Sequence, residues 1–397
     1  MIQRQTVLFL GISQLVCWGI SYYLIAVFGE MISFELGWSG TVVYGGFSAA
    51  LVIMAVTSPF TGRLIDVHGG RSIMTIGSFL LALGCFGIAS AHSIPHYYLS
   101  WMVLGVAMRL TLYDAAFASL VHIAGANAKL PKSQVTLLGG LASTVFWPIG
   151  FFLADFFGWR GALGVYSFIA LLTIPLHLAI PKDRGLVGMA NQKSAIPHPL
   201  PLAQSKRART IAGSLFVLIF TLLNFLNSAM SAHMINLLAG LGLTAALSVW
   251  VSALRGVGQS FARLCEVLFG RRLHSLTLTV FASSLLLTGF LFGLLSGRFL
   301  AMALIFSFLF GAGNGLLTIA RGSLPLVLFE TATYGAFVGK LLVPGFLFSA
   351  IAPLVYTWII DYGGEQAALI FSTVLAFFIF SCSLLLNKKF SAANKSA

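Results

Sequence analysis

The sequence predicts an all-α membrane protein of twelve transmembrane helices, arranged as two six-helix halves in parallel repeat. Three observations predict it. Of 397 residues, 58% are hydrophobic and only 8% charged, whereas a soluble domain carries about 25% charged residues. The surface itself must therefore be apolar. Apolar runs of about 20 residues recur along the chain, long enough to cross ~30 Å of hydrocarbon as helices, without the alternation of a β-barrel. Finally, short stretches recur half a chain apart. RLIDVHGGR (63–71) returns as RLCEVLFGR (263–271), and DFFGWRGAL (155–163) returns as DYGGEQAAL (361–369).

The runs predict spans over 6–28, 41–61, 72–91, 96–122, 134–156 and 159–180 in the first half. In the second they predict 211–238, 245–269, 273–296, 299–321, 334–360 and 365–386. The first run is too long for a signal-peptide core and is kept as a span. Between the halves lies PKDRGLVGMANQKSAIPHPLPLAQSKRART (181–210), polar and rich in Pro, Lys and Arg. The organisation expected is thus an N-terminal half (1–180), a linker (181–210), a C-terminal half (211–386) and a short basic tail (387–397). Both repeated motifs fall after the second and fifth spans of their halves.

Charge orients the spans. With both termini on the cytoplasmic side, seventeen of the 23 Lys and Arg face the cytoplasm and only Arg160 and Arg298 face outward. That asymmetry is the positive-inside pattern, and it predicts a bacterial-type cytoplasmic (inner) membrane. The net charge of +13 reads as membrane orientation, not as a nucleic-acid footprint. Four cysteines in apolar runs and eight scattered histidines predict neither a disulfide framework nor a metal site.

The loop sequence GRLIDVHGGR (62–71) resembles the motif G-x-x-x-D-[RK]-x-G-[RK]-[RK] between spans two and three of the major facilitator superfamily. Gly62, Asp66, Gly69 and Arg71 match it, while Val67 and Gly70 depart. The resemblance covers essentially the whole chain and implies two rocking halves with a substrate site between them. It also implies a cytoplasmic latch at Gly62, Asp66, Gly69 and Arg71, echoed by Arg263 and Glu266 in the second half. FELGWSGTVVYGGFSAALVIMAVTSPFTGRLID (34–66) and GVGQSFARLCEVLFGRR (256–272) are similar to the monocarboxylate and oxalate/formate branch. That likeness puts Arg263 at the branch's substrate-linked arginine, with Gln259 in place of its aspartate.

Arg109, Arg255, Arg321 and Lys340 fall within spans, against a single acid, Asp114. Arg109 and Arg255 lie near the midplane, where an unpaired charge costs about 2.5–3.5 kcal/mol on insertion scales. Each is therefore expected to face a watery cavity or a partner. Arg109 and Asp114 are five residues apart, about 140° around a regular helix, so Tyr113 is expected to share Arg109's face and Asp114 to point elsewhere. Asp114 is the proton-coupling candidate; a structural tether between the two charges is the alternative. Gln14, Trp18 and Tyr22 recur at i, i+4 and i+8, Asn224, Asn227, Ser228 and Ser231 at i, i+3, i+4 and i+7, and Trp147 precedes a proline. Lining of the cavity and interhelical hydrogen bonding both explain these stripes.

These features predict a secondary transporter, not an enzyme, with no cofactor. Its partners would be a small-molecule substrate, the lipid bilayer and a proton or counter-solute, with the monomer as the working unit. Arginines outnumber acids within the spans, which favours an organic anion such as a carboxylate. The alternative is an exporter of lipophilic or cationic drug-like compounds, held by Trp18, Tyr22 and Trp147.

Overall fold

The computed structural model describes residues 4–124, 128–181, 201–269, 274–329 and 334–391. Most of the linker, Lys193 included, lies outside these residues, as do the side chains of Asp66 and Lys340. Among the described residues every regular element is helical.

The first span consists of α1 (Arg4–Cys17), a π-helical turn (Trp18–Tyr22) and α2 (Leu24–Leu36). Helix α3 (Gly40–Ala89) holds spans two and three, and its axis breaks at Gly69, with φ 78° and ψ 155°. α4 (Ile94–Thr111) and α5 (Tyr113–Ala124) make up the fourth span. α6 (Lys129–Gly140) and the first part of α7 (Ala142–Leu178) are the fifth, and the rest of α7 is the sixth. The second half consists of α8 (Lys206–Gly240), α9 (Ala245–Phe269), α10 (Ser275–Gly293), α11 (Leu300–Leu328) and α12 (Tyr334–Ser391). α12 again holds two spans. The seventh span starts at Lys206, five residues before the expected 211, because Ser205 caps it by accepting from the Ala208 N–H at 3.1 Å.

Three of the long helices are hairpins. In α7 the Tyr166 hydroxyl donates to the Phe146 carbonyl at 2.8 Å. Twenty residues of straight helix would separate those groups by about 30 Å, so the chain turns back on itself. The turn is at Gly158, φ 67° and ψ 169°. In α12, Tyr356 bonds Ser372 across Gly364, φ 75° and ψ 176°. A left-handed φ beside extended ψ needs a residue without Cβ. Gly158 and Gly364 hold the same place in the repeated stretches DFFGWR and DYGGEQ, so the repeat in sequence is a repeat in backbone.

Nine segments of the described chain are long and apolar enough to span a membrane. Two of them, Pro131–Leu178 and Leu341–Ser391, cross twice. α9 supplies the remaining crossing, the eighth in chain order; it is less apolar than the others because Arg255, Gln259 and Arg263 lie along its buried side.

Candidate functional site

Arg255 sits two residues before the midpoint of α9, and it is fully buried. Its Nη2 donates to Asn227 Oδ1 at 2.7 Å and to Ser231 Oγ at 2.9 Å, both on α8. Nε and Nη1 have no hydrogen-bond partner, which leaves three of the five guanidinium N–H donors unspent. No carboxylate among the described residues bridges it. Around the guanidinium stand aromatic rings, with carbon-to-centroid distances of 5.5 Å to Tyr23, 6.0 Å to Trp147 and 5.0 Å to Phe310. Tyr23 and Trp147 come from the first half and Phe310 from the second, so the cation lies between the halves.

A local irregularity in the first span places the aromatic groups. The π turn at Trp18–Tyr22 inserts an extra residue per turn. It moves Tyr23, rather than Tyr22, over Arg255, and the Tyr23 carbonyl accepts from Trp147 Nε1 at 3.1 Å. Trp18 packs on Tyr22 and on Tyr113, with ring centroids 5.0 Å apart in each case. The regular spacing of Gln14, Trp18 and Tyr22 therefore does not give one continuous face. Gln14 turns away and donates to the Thr111 carbonyl at 2.7 Å.

That carbonyl is free because the fourth span breaks. Leu112 is extended, φ −76° and ψ −171°, between α4 and α5. The break corrects the expected placement of Arg109 and Asp114. A regular helix would hold them about 140° apart; across the interruption they pair, Nη1 to Oδ2 at 2.5 Å. Arg109 Nη2 also bonds Ser58. Arg109 is thus neutralised within its own half, and it does not share Tyr113's surroundings. Tyr113 instead reaches the Thr136 carbonyl at 3.4 Å.

The polar stripe on α8 does serve one purpose, which is to hold arginines. Asn227 and Ser231 take Arg255, and Asn224 Oδ1 lies 3.5 Å from Arg321 Nη1. Arg263 crosses between halves, donating to the Thr136 carbonyl at 2.7 Å and to Thr318 Oγ1 at 3.0 Å. With its side-chain amide turned over, Gln259 also accepts from Arg263 at 2.9 Å. Of the loop motif, Gly69 makes the turn, Gly62 and Arg71 are half-buried beside it, and Glu266 is half-buried one turn beyond Arg263.

Two further sets of contacts join the halves. At the end of the bundle that carries the Gly158 and Gly364 turns, the Tyr44 ring lies 4.0 Å from that of His233, and Asn236 Nδ2 donates to Tyr44 at 2.6 Å and to Glu30 at 3.2 Å. These groups line a cavity of 430 Å³ shared with Asp361 and Glu365. Level with Arg255, the Thr144 hydroxyl donates to the Ala253 carbonyl at 2.7 Å, and toward the end that carries the linker the Ser260 hydroxyl donates to the Leu137 carbonyl at 2.9 Å. Sequence reasoning passed over Tyr23 and Phe310. Tyr23 stands one residue off the four-residue period, and Phe310 is one of 35 phenylalanines with nothing to single it out.

Comparison with known proteins agrees with this architecture. The family profile described as Major Facilitator Superfamily matches residues 10–265, more than half of the chain. An uncharacterized 38 kDa protein of Thermoproteus tenax is 30% identical over 151 residues, 38% of this chain and 40% of that protein. Monocarboxylate transporter 11 of Mus musculus is 30% identical over 129 residues, covering 32% and 28%. A multi-drug resistance efflux pump PmrA homolog of Lactococcus lactis is 29% identical over 167 residues, covering 39% and 40%. The matches span less than half the length of each of these relatives. Among solved structures, a D-xylose-proton symporter superposes with a TM-score of 0.72 at 14% identity, covering 96% of both chains. A proton-dependent oligopeptide transporter gives 0.74 at 14% identity and covers 99% of both. At those identities the likeness is one of fold.

Proposed function

The chain belongs to the major facilitator superfamily, a multi-pass membrane transporter and not an enzyme, and we propose that it carries a small organic anion, such as a carboxylate, by alternating access. One observation carries the reading. Arg255 is a fully buried guanidinium with three unspent donors, no bridging carboxylate among the described residues, and residues of both halves around it. A buried cation left without a counter-ion is costly, and an anionic solute would supply the missing charge. Guanidinium is suited to carboxylates because its N–H groups form a planar fork. Tyr23, Trp147 and Phe310 would enclose the apolar body of the solute.

In this reading Asn227 and Ser231 position the guanidinium, and the outer contacts of Tyr44, His233, Asn236 and Glu30 form one gate. The inner contacts of Thr136 and Leu137 with Arg263 and Ser260 form the other. Opening them in turn would expose Arg255 to each side. Asp114, half-exposed beside Arg109, is the group proposed to exchange a coupled proton.

Counterflow of labelled carboxylates in proteoliposomes tests the reading. Arg255→Gln should abolish exchange while the protein still inserts, and Arg255→Lys should restore only part of it, because an ammonium is a point charge without the fork. Transport of a lipophilic cation that is indifferent to Arg255→Gln would overturn the anion reading in favour of drug export. Asp114→Asn should remove the proton dependence and leave exchange in place; unchanged proton dependence would remove Asp114 from the mechanism.

A further inference from the structure

The second and third turns of α8 and the last two of α12 line a cleft of 640 Å³ that includes none of the residues around Arg255. Ile211, Leu215 and Leu385 form its apolar wall, and Lys388 and Lys389 stand at its mouth with Ser214. Leu385 and both lysines are exposed. Among the described residues that line the cleft there are two bases and no acid. Lys206, Arg207 and Arg209 occupy the first turn of α8, which contains no acid. That turn is the positive end of the helix dipole, where bases are disfavoured. The basic pair of α12 converges on the same place.

We infer that this cleft is a binding site for one anionic phospholipid of the leaflet facing the linker, its phosphate held by Lys388 and Lys389 and its acyl chain laid against Ile211, Leu215 and Leu385. Charge complementarity identifies the occupant. A phosphate relieves the repulsion among the bases and answers the α8 dipole, and basic pockets between helices at a cytoplasmic face recruit anionic head groups. The apolar wall distinguishes a lipid from a free phosphate, which has no use for it. The lipid would join the first and last helices of the second half at the end where the linker enters.

Native mass spectrometry and thermal unfolding of the full chain in detergent test this, with phosphatidylglycerol, phosphatidylcholine and inorganic phosphate as separate probes. The expected result is one phosphatidylglycerol retained per chain with a rise in unfolding temperature, and neither effect with phosphatidylcholine or phosphate. Lys388→Gln with Lys389→Gln should weaken retention roughly 25-fold, from about fivefold per charge. Arg63→Gln, an exposed base on the same face outside the cleft, should leave it unchanged. Equal retention of phosphatidylcholine would overturn the proposal. So would a double variant that binds like the wild type, or stabilisation by phosphate alone. No transported solute enters the measurement, so its outcome is independent of the anion reading.

Discussion

The two halves cross their second and fourth spans in the same way and then differ at the crossing. In the first half a Cβ on Gly105 would come within 2.5 Å of the Ala50 carbonyl, and in the second a Cβ on Gly311 would overlap the Arg255 carbonyl. Gly105 and Gly311 are 206 residues apart and Ala50 and Arg255 are 205 apart, the spacing of the repeated turns. The backbone contact is duplicated, yet one half presents a methyl group at it and the other a guanidinium. The scaffold is therefore symmetric and its chemistry is not. The charge of the first half, Arg109, is cancelled by its neighbour Asp114, and the charge of the second is left open.

Replacing the open charge breaks the comparison most sharply. Arg255→Met makes the second crossing as inert as the first, and exchange should be lost entirely. Thermal stability should stay level or rise, because a buried guanidinium without a counter-ion is costly, often by several kcal/mol. A lower unfolding temperature together with retained exchange would contradict the assignment. The shared backbone contact comes next. Gly311→Ala should cost about 1–3 kcal/mol and more than Gly105→Ala, since both would press a Cβ on a backbone carbonyl and the approach at Gly311 is the closer; paired unfolding curves would rank them. Asp114→Asn gives the first half an uncancelled arginine of its own. Its carboxylate is half-exposed, so solvent screening should hold the loss below about 1 kcal/mol.

The smallest effect concerns the clasps beside the Gly158 and Gly364 turns, which are also equivalent. Arg160 Nη1 donates to the Ala89 and Ala91 carbonyls at 2.6 and 3.0 Å, and Gln366 Nε2 to the Leu294 carbonyl at 3.2 Å. Only the first half adds Glu35, which accepts from Arg160 Nε at 2.9 Å. Arg160→Gln converts one clasp into the other and should cost only a few tenths of a kcal/mol to about 1 kcal/mol. A midpoint shift larger than that in denaturant titration would mean that the clasps are not equivalent.

Span number was legible in the sequence because hydrocarbon thickness imposes a length on every crossing, and the repeat because the duplicated loop stretches keep the same turn residues. Arg255 was legible too, since a midplane charge in α9 has few explanations, and its ties to Asn227 and Ser231 follow from the polar stripe of α8. The partnership of Arg109 and Asp114 was not. It depends on Leu112 leaving the helix in RLTLYDAA, where neither glycine nor proline announces a break. The shift from Tyr22 to Tyr23 likewise depends on a π turn that a 3.6-residue period cannot register. Both irregularities are stabilised by contacts from elsewhere, Gln14 on the Thr111 carbonyl and Trp147 on that of Tyr23, so tertiary packing decided them.

Gly158 and Gly364 are each the whole of a connection between two helices. A connection of one residue leaves no slack. Span five bonds to the other half through Thr144, and span six is anchored in its own half, where the Ser167 hydroxyl donates to the Ala82 carbonyl at 2.8 Å. Span eleven packs against the first half near Gly40, and span twelve is bonded within its own half through Gln366. Neither five nor eleven can slide lengthwise without dragging its neighbour, so each hairpin is built as a stiff paddle whose two arms are tied to different halves. Lengthening either tip with a few flexible residues would loosen the paddle and uncouple the motion of the interface from the half that drives it.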